Sequence, residues 1–270
     1  DLANYNDVEI LLCHCINQNC IITEIINFPK TLTKLSCVGT KIKFFDNLPD
    51  TLELLDCAYN NVETLDNLPS GLKMLSCYGN FIKNLDKLPN SLEVLKCSHN
   101  RQLVNLDLLP SSLKFLDCGE CQIASLDCLP ANLEELHCYV NPKITSLDKL
   151  PSTLKILSCN GLINLTELNK LPENLEKLQC SNCSLENLDN LPQNLKKLCC
   201  DENYRLVKIE NLPLVEEFVI GYNCEKYNLA NSVENKIECK DYFDRYVNIH
   251  IDHRCLYVEE NERNSYRRTV

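Results

Sequence analysis

The chain has no tryptophan, one methionine, six glycines and five histidines in 270 residues. So few glycines leave no glycine-rich loop of the kind that cradles phosphate groups. The histidines are scattered and give no Ser-His-Asp order from which nucleophilic catalysis could be argued. No stretch of about 18 apolar residues occurs, so the sequence predicts no membrane-spanning helix. Positive charge is also short: 27 Lys and Arg face 38 Asp and Glu, for a net charge of −11 and a pI near 5.0. Proteins that bind nucleic acid regardless of sequence present a basic surface, so that class is disfavoured. The sequence predicts no catalytic residues, no cofactor, no nucleic-acid partner and no membrane partner.

What the chain has is cysteine, 19 in all, and proline at a fixed interval. Prolines 29, 49, 69, 89, 110, 130, 151, 172, 192 and 213 recur every 20 or 21 residues. Counting from each of the first nine, leucine stands at the third and sixth places, from Leu32 and Leu35 to Leu195 and Leu198. The eighth place is an unbroken cysteine column: Cys37, Cys57, Cys77, Cys97, Cys118, Cys138, Cys159, Cys180 and Cys200. The eleventh is mostly polar: Thr40, Asn60, Asn80, Asn100, Cys121, Asn141, Leu162, Cys183 and Asn203. A further apolar pair, such as Ile82 and Leu85, closes each repeat.

The resulting L-x-x-L-x-C-x-x-N pattern resembles the strand segment of a leucine-rich repeat. The short units and the Leu-Pro that leads into each strand are most similar to the repeats of secreted bacterial effectors of the YopM and IpaH type. The cysteine at the eighth place departs from them and resembles cysteine-type repeats in proteins of large amoeba-infecting DNA viruses. The resemblance covers about residues 8 to 223 and implies an α/β right-handed leucine-rich repeat solenoid, with a parallel concave sheet and a mostly extended, helix-poor convex side. Fold alone does not fix activity.

Physical reasoning reaches the same architecture. Leu, Leu and Cys at these places share no face of a longer regular strand or helix, but stacked on equivalent repeats each column becomes a continuous buried ridge. About five strand residues per 20-residue repeat leave too few on the return path for an ordinary helix of ~10 or more. Ten or eleven parallel strands are expected. Stacked strands lie about 4.8 Å apart, so column thiols point the same way into the core instead of opposing each other as a disulfide needs. Free cysteine behaves there as a small hydrophobe. A reduced column implies a reducing compartment, here the cytoplasm, or a host's cytoplasm for a viral or effector protein. Cys13, Cys15 and Cys20 before the repeats and Cys224, Cys239 and Cys255 after them could instead belong to caps.

Between the buried columns, side chains point to the strand face. The fourth place runs Glu53, Lys73, Glu93, Lys114, Glu134, Lys155, Glu176, Lys196, an alternation that favours cross-strand pairing and is assigned to register. The fifth place sets large apolar residues on a face that should be wet: Leu54, Met74, Val94 and Phe115, then Ile156 after an interruption at Glu135. A contiguous apolar stripe is a candidate interface. Tyr78 and Tyr139 could border it, and aromatics are enriched at binding hot spots. These seven residues form the predicted partner-binding site; a covering terminal segment or self-association are the other readings.

The expected organisation is an N-terminal cap and irregular first repeat over 1–28, repeats over 29–223, and a C-terminal cap and polar tail over 224–270. Cys239-Lys240-Asp241 matches the Cys-x-Asp nucleophile motif of the IpaH-like ubiquitin ligases. Only 47 residues follow Asn223, short of the helical domain in which that motif works, so the triplet reads as coincidence. His250, Asp252, His253 and Cys255 with Cys239 lack the tight pairs of a closed zinc site. The expected function is therefore a non-catalytic scaffold that binds a protein through its concave face. The alternatives are a substrate-recruiting module of a ubiquitin-ligase-type effector or a self-assembling structural component.

Overall fold

The computed structural model describes residues 2, 6–15, 22–206 and 212–219. It divides into two compact parts, one of Asp1–Ile144 with Lys149–Leu154 and one of Thr145–Asp148 with Lys155–Val270. The first part holds seven parallel strands in chain order, β1 (Ile10–Leu12), β2 (Lys34–Ser36), β3 (Leu54–Asp56), β4 (Met74–Ser76), β5 (Val94–Lys96), β6 (Phe115–Asp117) and β7 (Glu135–His137). The second holds four: β8 (Ile156–Ser158), β9 (Lys177–Gln179), β10 (Lys197–Cys199) and β11 (Glu217–Val219). No helix occurs among the described residues. Each part is a solenoid of one strand per repeat with an extended return path.

Each strand after β1 is only three residues long because the chain turns sharply on both sides of it. Before it, the proline fixes φ and its carbonyl accepts the N–H three residues on, as in Leu92 N to Pro89 O at 3.1 Å. After it, the tenth place is left-handed in every repeat: Gly39, Tyr59, Gly79, His99, Glu120, Val140, Gly161, Asn182 and Glu202 all have φ between 50° and 71°. Parallel pairing nevertheless reaches beyond the three residues. Cys97 N donates to Asp117 O at 2.7 Å and His99 N to Gly119 O at 2.9 Å. The five-residue strand expected from sequence is thus a three-residue strand with bonded shoulders.

The left-handed column makes a test available at its most strained member. Val140 is β-branched, has φ 52° and is 48% exposed. A left-handed L-residue costs about 1 to 2 kcal/mol, while glycine gives back part of that through unfolded-state entropy. Val140→Gly is expected to stabilise the protein by about 1 kcal/mol and raise the melting midpoint by roughly 2 to 4 °C, read by calorimetry.

The core is the set of leucine, cysteine and isoleucine columns. Leu95, Cys97, Leu116, Cys118 and their equivalents have no solvent exposure. All nine column cysteines are free and buried. Among the described cysteines Cys15 alone is disulfide-bonded. Cys20, Cys224, Cys239 and Cys255 lie outside the described residues, as do the Cys239-Lys240-Asp241 triplet, His250, Asp252, His253 and the predicted C-terminal cap.

Two polar ladders tie the repeats together. At the second place after proline, hydroxyl and amide side chains donate to carbonyls of the preceding repeat: Ser91 Oγ to Ser70 O and Leu72 O, both at 2.7 Å, and Thr153 Oγ1 to Ala131 O and Leu133 O, both at 2.7 Å. At the eleventh place, buried Asn100 donates through Nδ2 to Cys77 O at 3.0 Å and Cys97 O at 2.8 Å, and its Oδ1 accepts Ile82 N at 2.9 Å. Asn60, Asn80, Asn141 and Asn203 repeat the arrangement.

The exceptions at the eleventh place follow repeat length. In the 20-residue repeats that begin at prolines 29, 49, 69, 110 and 172, the N–H of Ile42, Val62, Ile82, Ile123 or Leu185 is satisfied by the asparagine of the next repeat. In the 21-residue repeats the extra residue closes a local turn, and the same N–H finds its own repeat's carbonyl: Leu103 N to Asn100 O, Ile144 N to Asn141 O, Leu165 N to Leu162 O and Leu206 N to Asn203 O, at 2.9 to 3.1 Å. The repeats that follow the first three of these carry Cys121, Leu162 and Cys183. With no N–H left to accept, asparagine's carbonyl loses its partner, and a thiol that only donates suffices. Cys121 Sγ donates to Gly119 O at 3.4 Å and Cys183 Sγ to Cys159 O at 3.3 Å.

Candidate functional site: the strand face

Alternation along each three-residue strand turns the central leucine inward and leaves its two neighbours on one outer face. Register places Leu54, Met74, Val94 and Phe115 side by side on β3 to β6, with Glu135 next on β7. All four apolar residues are half-buried, as are Tyr78 and Tyr139. Ile156 lies on β8 in the second part, half-buried and in register with Lys177.

The row alongside, at the seventh place, is polar: Asp56, Ser76, Lys96, Asp117 and His137. It packs onto the stripe near Phe115. The His137 ring lies 5.4 Å from the Phe115 ring, Lys96 Nζ is 5.9 Å from the same ring, and His137 Nε2 is 2.7 Å from Glu135 Oε1. Asp117 is held by Ser98 Oγ at 3.0 Å and by Gly119 N at 3.2 Å.

Next to these rows the aromatic side chains assemble into a cluster. Tyr78 meets Tyr59 edge-on at 4.9 Å and His99 at 4.6 Å, and His99 Nε2 is 2.6 Å from Glu120 Oε1. Burial and the hydrogen bond its hydroxyl donates to Tyr59 push the Tyr78 phenol above its usual range, with Tyr139 and Glu120 adding to the effect. Burial also raises the Tyr139 phenol. Sequence reasoning picked out Tyr78 and Tyr139 but not Tyr59, His99 or Glu120. Glycine at 39, 79 and 161, ten places after proline, was the available signal that this place is left-handed and lifts its side chain beside the ninth.

Fourth-place charges pair across neighbouring strands. Lys73 reaches Glu53 at 3.0 Å, Lys114 reaches Glu93 at 2.8 Å, and Lys196 reaches Glu176 at 2.6 Å. Hydrogen bonding to Lys114 holds the Glu93 carboxyl below its usual value. About half exposed, such pairs contribute little each, in keeping with a role in register.

The buried thiols are chemically quiet. Burial pushes Cys37 up to about 12 and raises Cys57, Cys97, Cys118, Cys159 and Cys180 well above the usual thiol value. Among the described residues no group of three or more His, Cys, Asp or Glu is arranged to hold a metal ion, and no helix is long and apolar enough to cross a membrane.

No protein-family model matches the sequence, and no curated protein matches it. Solved structures do. YopM from Yersinia enterocolitica is 27% identical over 78% of this chain and 50% of its own, with a TM-score of 0.60. The functional domain of InlJ from Listeria monocytogenes, which includes a cysteine ladder, is 24% identical over 82% of this chain and 55% of its own, with a TM-score of 0.51. A TLR13–ssRNA13 complex shares the fold at 18% identity over 88% of this chain and 44% of its own, with a TM-score of 0.53. The chain thus spans about half the length of these three structures. With its one strand per repeat, its buried leucine and cysteine columns and a return path free of helix among the described residues, the chain has the fold of a leucine-rich repeat solenoid with short repeats of 20 and 21 residues.

Proposed function

We propose that this protein is a non-catalytic scaffold whose strand face binds a partner protein. The observation that carries the reading is the in-register stripe Leu54, Met74, Val94 and Phe115, four half-buried apolar side chains on adjacent strands. Tyr78 and Tyr139 border it in the same part. A contiguous apolar patch rimmed by polar groups is the usual mark of a protein-binding surface. Thiols kept neutral by burial are poor nucleophiles, which supports a binding role over a catalytic one. Fourteen free thiols accord with a reducing compartment. The division into a cap over 1–28, repeats over 29–223 and a terminal cap over 224–270 is part of the same proposal.

The test is affinity capture from cells of the source organism, followed by hydrogen-exchange mapping of the complex. Protection is expected on β4 to β6, and Phe115→Gln combined with Met74→Gln is expected to weaken capture at least about tenfold. Glutamine is the better probe than glutamate, which would stand directly opposite Glu135 and add repulsion unrelated to binding. Unchanged capture by the double variant, or protection confined to the return path, would overturn the reading.

A further inference from the structure

The aromatic cluster carries more than a border to the stripe. Three of its members, Tyr59, His99 and Glu120, are non-glycine residues at left-handed positions, with φ of 54°, 57° and 50°. Glycine occupies this place three times elsewhere, so the fold does not require a side chain there. The same conformation recurs at Val140, Asn182 and Glu202, so it belongs to the turn of every repeat. Two glycines make room for the rings: a Cβ at Gly119 would stand 2.3 Å from the Tyr139 ring, and one at Gly79 would stand 3.0 Å from the Tyr59 ring. The rings therefore lie against bare backbone.

The chemistry that converges here suits a planar cation. The rings of Tyr59 and Tyr78, at 70° to each other, offer π faces, with Tyr59 60% exposed. The Glu120 side chain is 32% exposed; His99 engages its Oε1, and Oε2 is the oxygen a ligand would take. Asp117 adds negative charge beside Tyr139. The ammonium of Lys96, on the neighbouring polar row, lies 5.9 Å from the Phe115 ring. Guanidinium stacks on aromatic faces and forms directed bonds to carboxylate, which a lysine ammonium does less well. We infer that the Tyr59, Tyr78, His99, Glu120 and Tyr139 cluster binds an arginine side chain of a basic peptide segment on the partner. The net charge of −11 favours such a partner at longer range. This rests on the strand face being the binding surface, and it names the chemistry that surface reads.

The probe is an acetylated, amidated peptide of alternating glycine and three arginines, titrated against the full chain by calorimetry beside its lysine and citrulline counterparts. The arginine peptide is expected to bind at least roughly tenfold tighter than the citrulline peptide and measurably tighter than the lysine peptide. Glu120→Gln, nearly isosteric and at the surface, should weaken it about tenfold, and Tyr78→Leu should do the same, with the melting midpoint confirming that each variant is folded. Equal binding of the citrulline peptide, undiminished binding by Glu120→Gln, or no binding of the arginine peptide would each overturn the inference. Loss of capture by the Phe115 and Met74 variant together with any of those results would leave the stripe as the binding surface and remove arginine recognition alone.

Discussion

Between about pH 9 and pH 10 the protein is expected to unfold cooperatively, driven by its own thiols. An unperturbed thiol ionises near 8.5. In the fold, burial raises Cys37 to about 12, Cys121 and Cys183 to about 11, and Cys57, Cys77, Cys97, Cys118, Cys159 and Cys180 likewise upward. Above pH 8.5 the unfolded chain therefore releases protons that the folded chain retains. The stability contributed by these neutral thiols is complete below that pH and is lost as pH climbs toward the folded values. One pH unit above the unfolded value each thiol costs about 1.4 kcal/mol. Nine together reach the 5 to 15 kcal/mol that holds an ordinary domain folded. Circular dichroism and thiolate absorbance near 240 nm should change together. Thiolates that form while the strands persist would show that the column is open to water, and the account of the core would fail.

Asn100→Ala is expected to destabilise the protein by about 2 to 3 kcal/mol, measured by chemical denaturation, whereas Cys121→Ala at the same place one repeat later should cost only about 1 kcal/mol. Asn100 is fully buried and bonds carbonyls in two repeats while accepting an N–H from the preceding one. Its removal orphans Ile82 N and leaves Cys97 O with only the weak Cys121 Sγ contact at 3.6 Å, while Cys77 O keeps Asn80 Nδ2 at 3.0 Å; a buried polar group left unpaired costs about 1 to 3 kcal/mol. Cys121 offers only weak Sγ contacts at 3.4 and 3.6 Å, and Leu103 N is satisfied within its own repeat. Equal costs for the two substitutions would sink the explanation that repeat length decides which side chain the ladder needs.

That explanation was available in the sequence but not obvious from it. The irregular column Asn, Asn, Asn, Cys, Asn, Leu, Cys, Asn looks like drift when it is read at its own position. It becomes a rule only when each residue is compared with the length of the repeat before it, because the hydrogen-bond partner belongs to that repeat. The apolar stripe was legible for a simpler reason: stacking at constant register makes neighbours of residues 20 or 21 apart, so Leu54, Met74, Val94 and Phe115 had to adjoin. Tyr59, His99 and Glu120 escaped notice because each stands alone in its repeat, with no repeated residue type to mark a column.

By itself the sequence determined the repeat, the parallel strands, and the buried leucine and cysteine columns. Those follow from periodicity, since an apolar residue recurring at one interval can be removed from water only by stacking on its equivalents. Tertiary structure alone decided how far each strand extends beyond its shoulders and which aromatic and acidic side chains meet beside the stripe. Those depend on directions and distances of a few ångströms, and a pattern of residue types carries no record of which way a side chain is aimed.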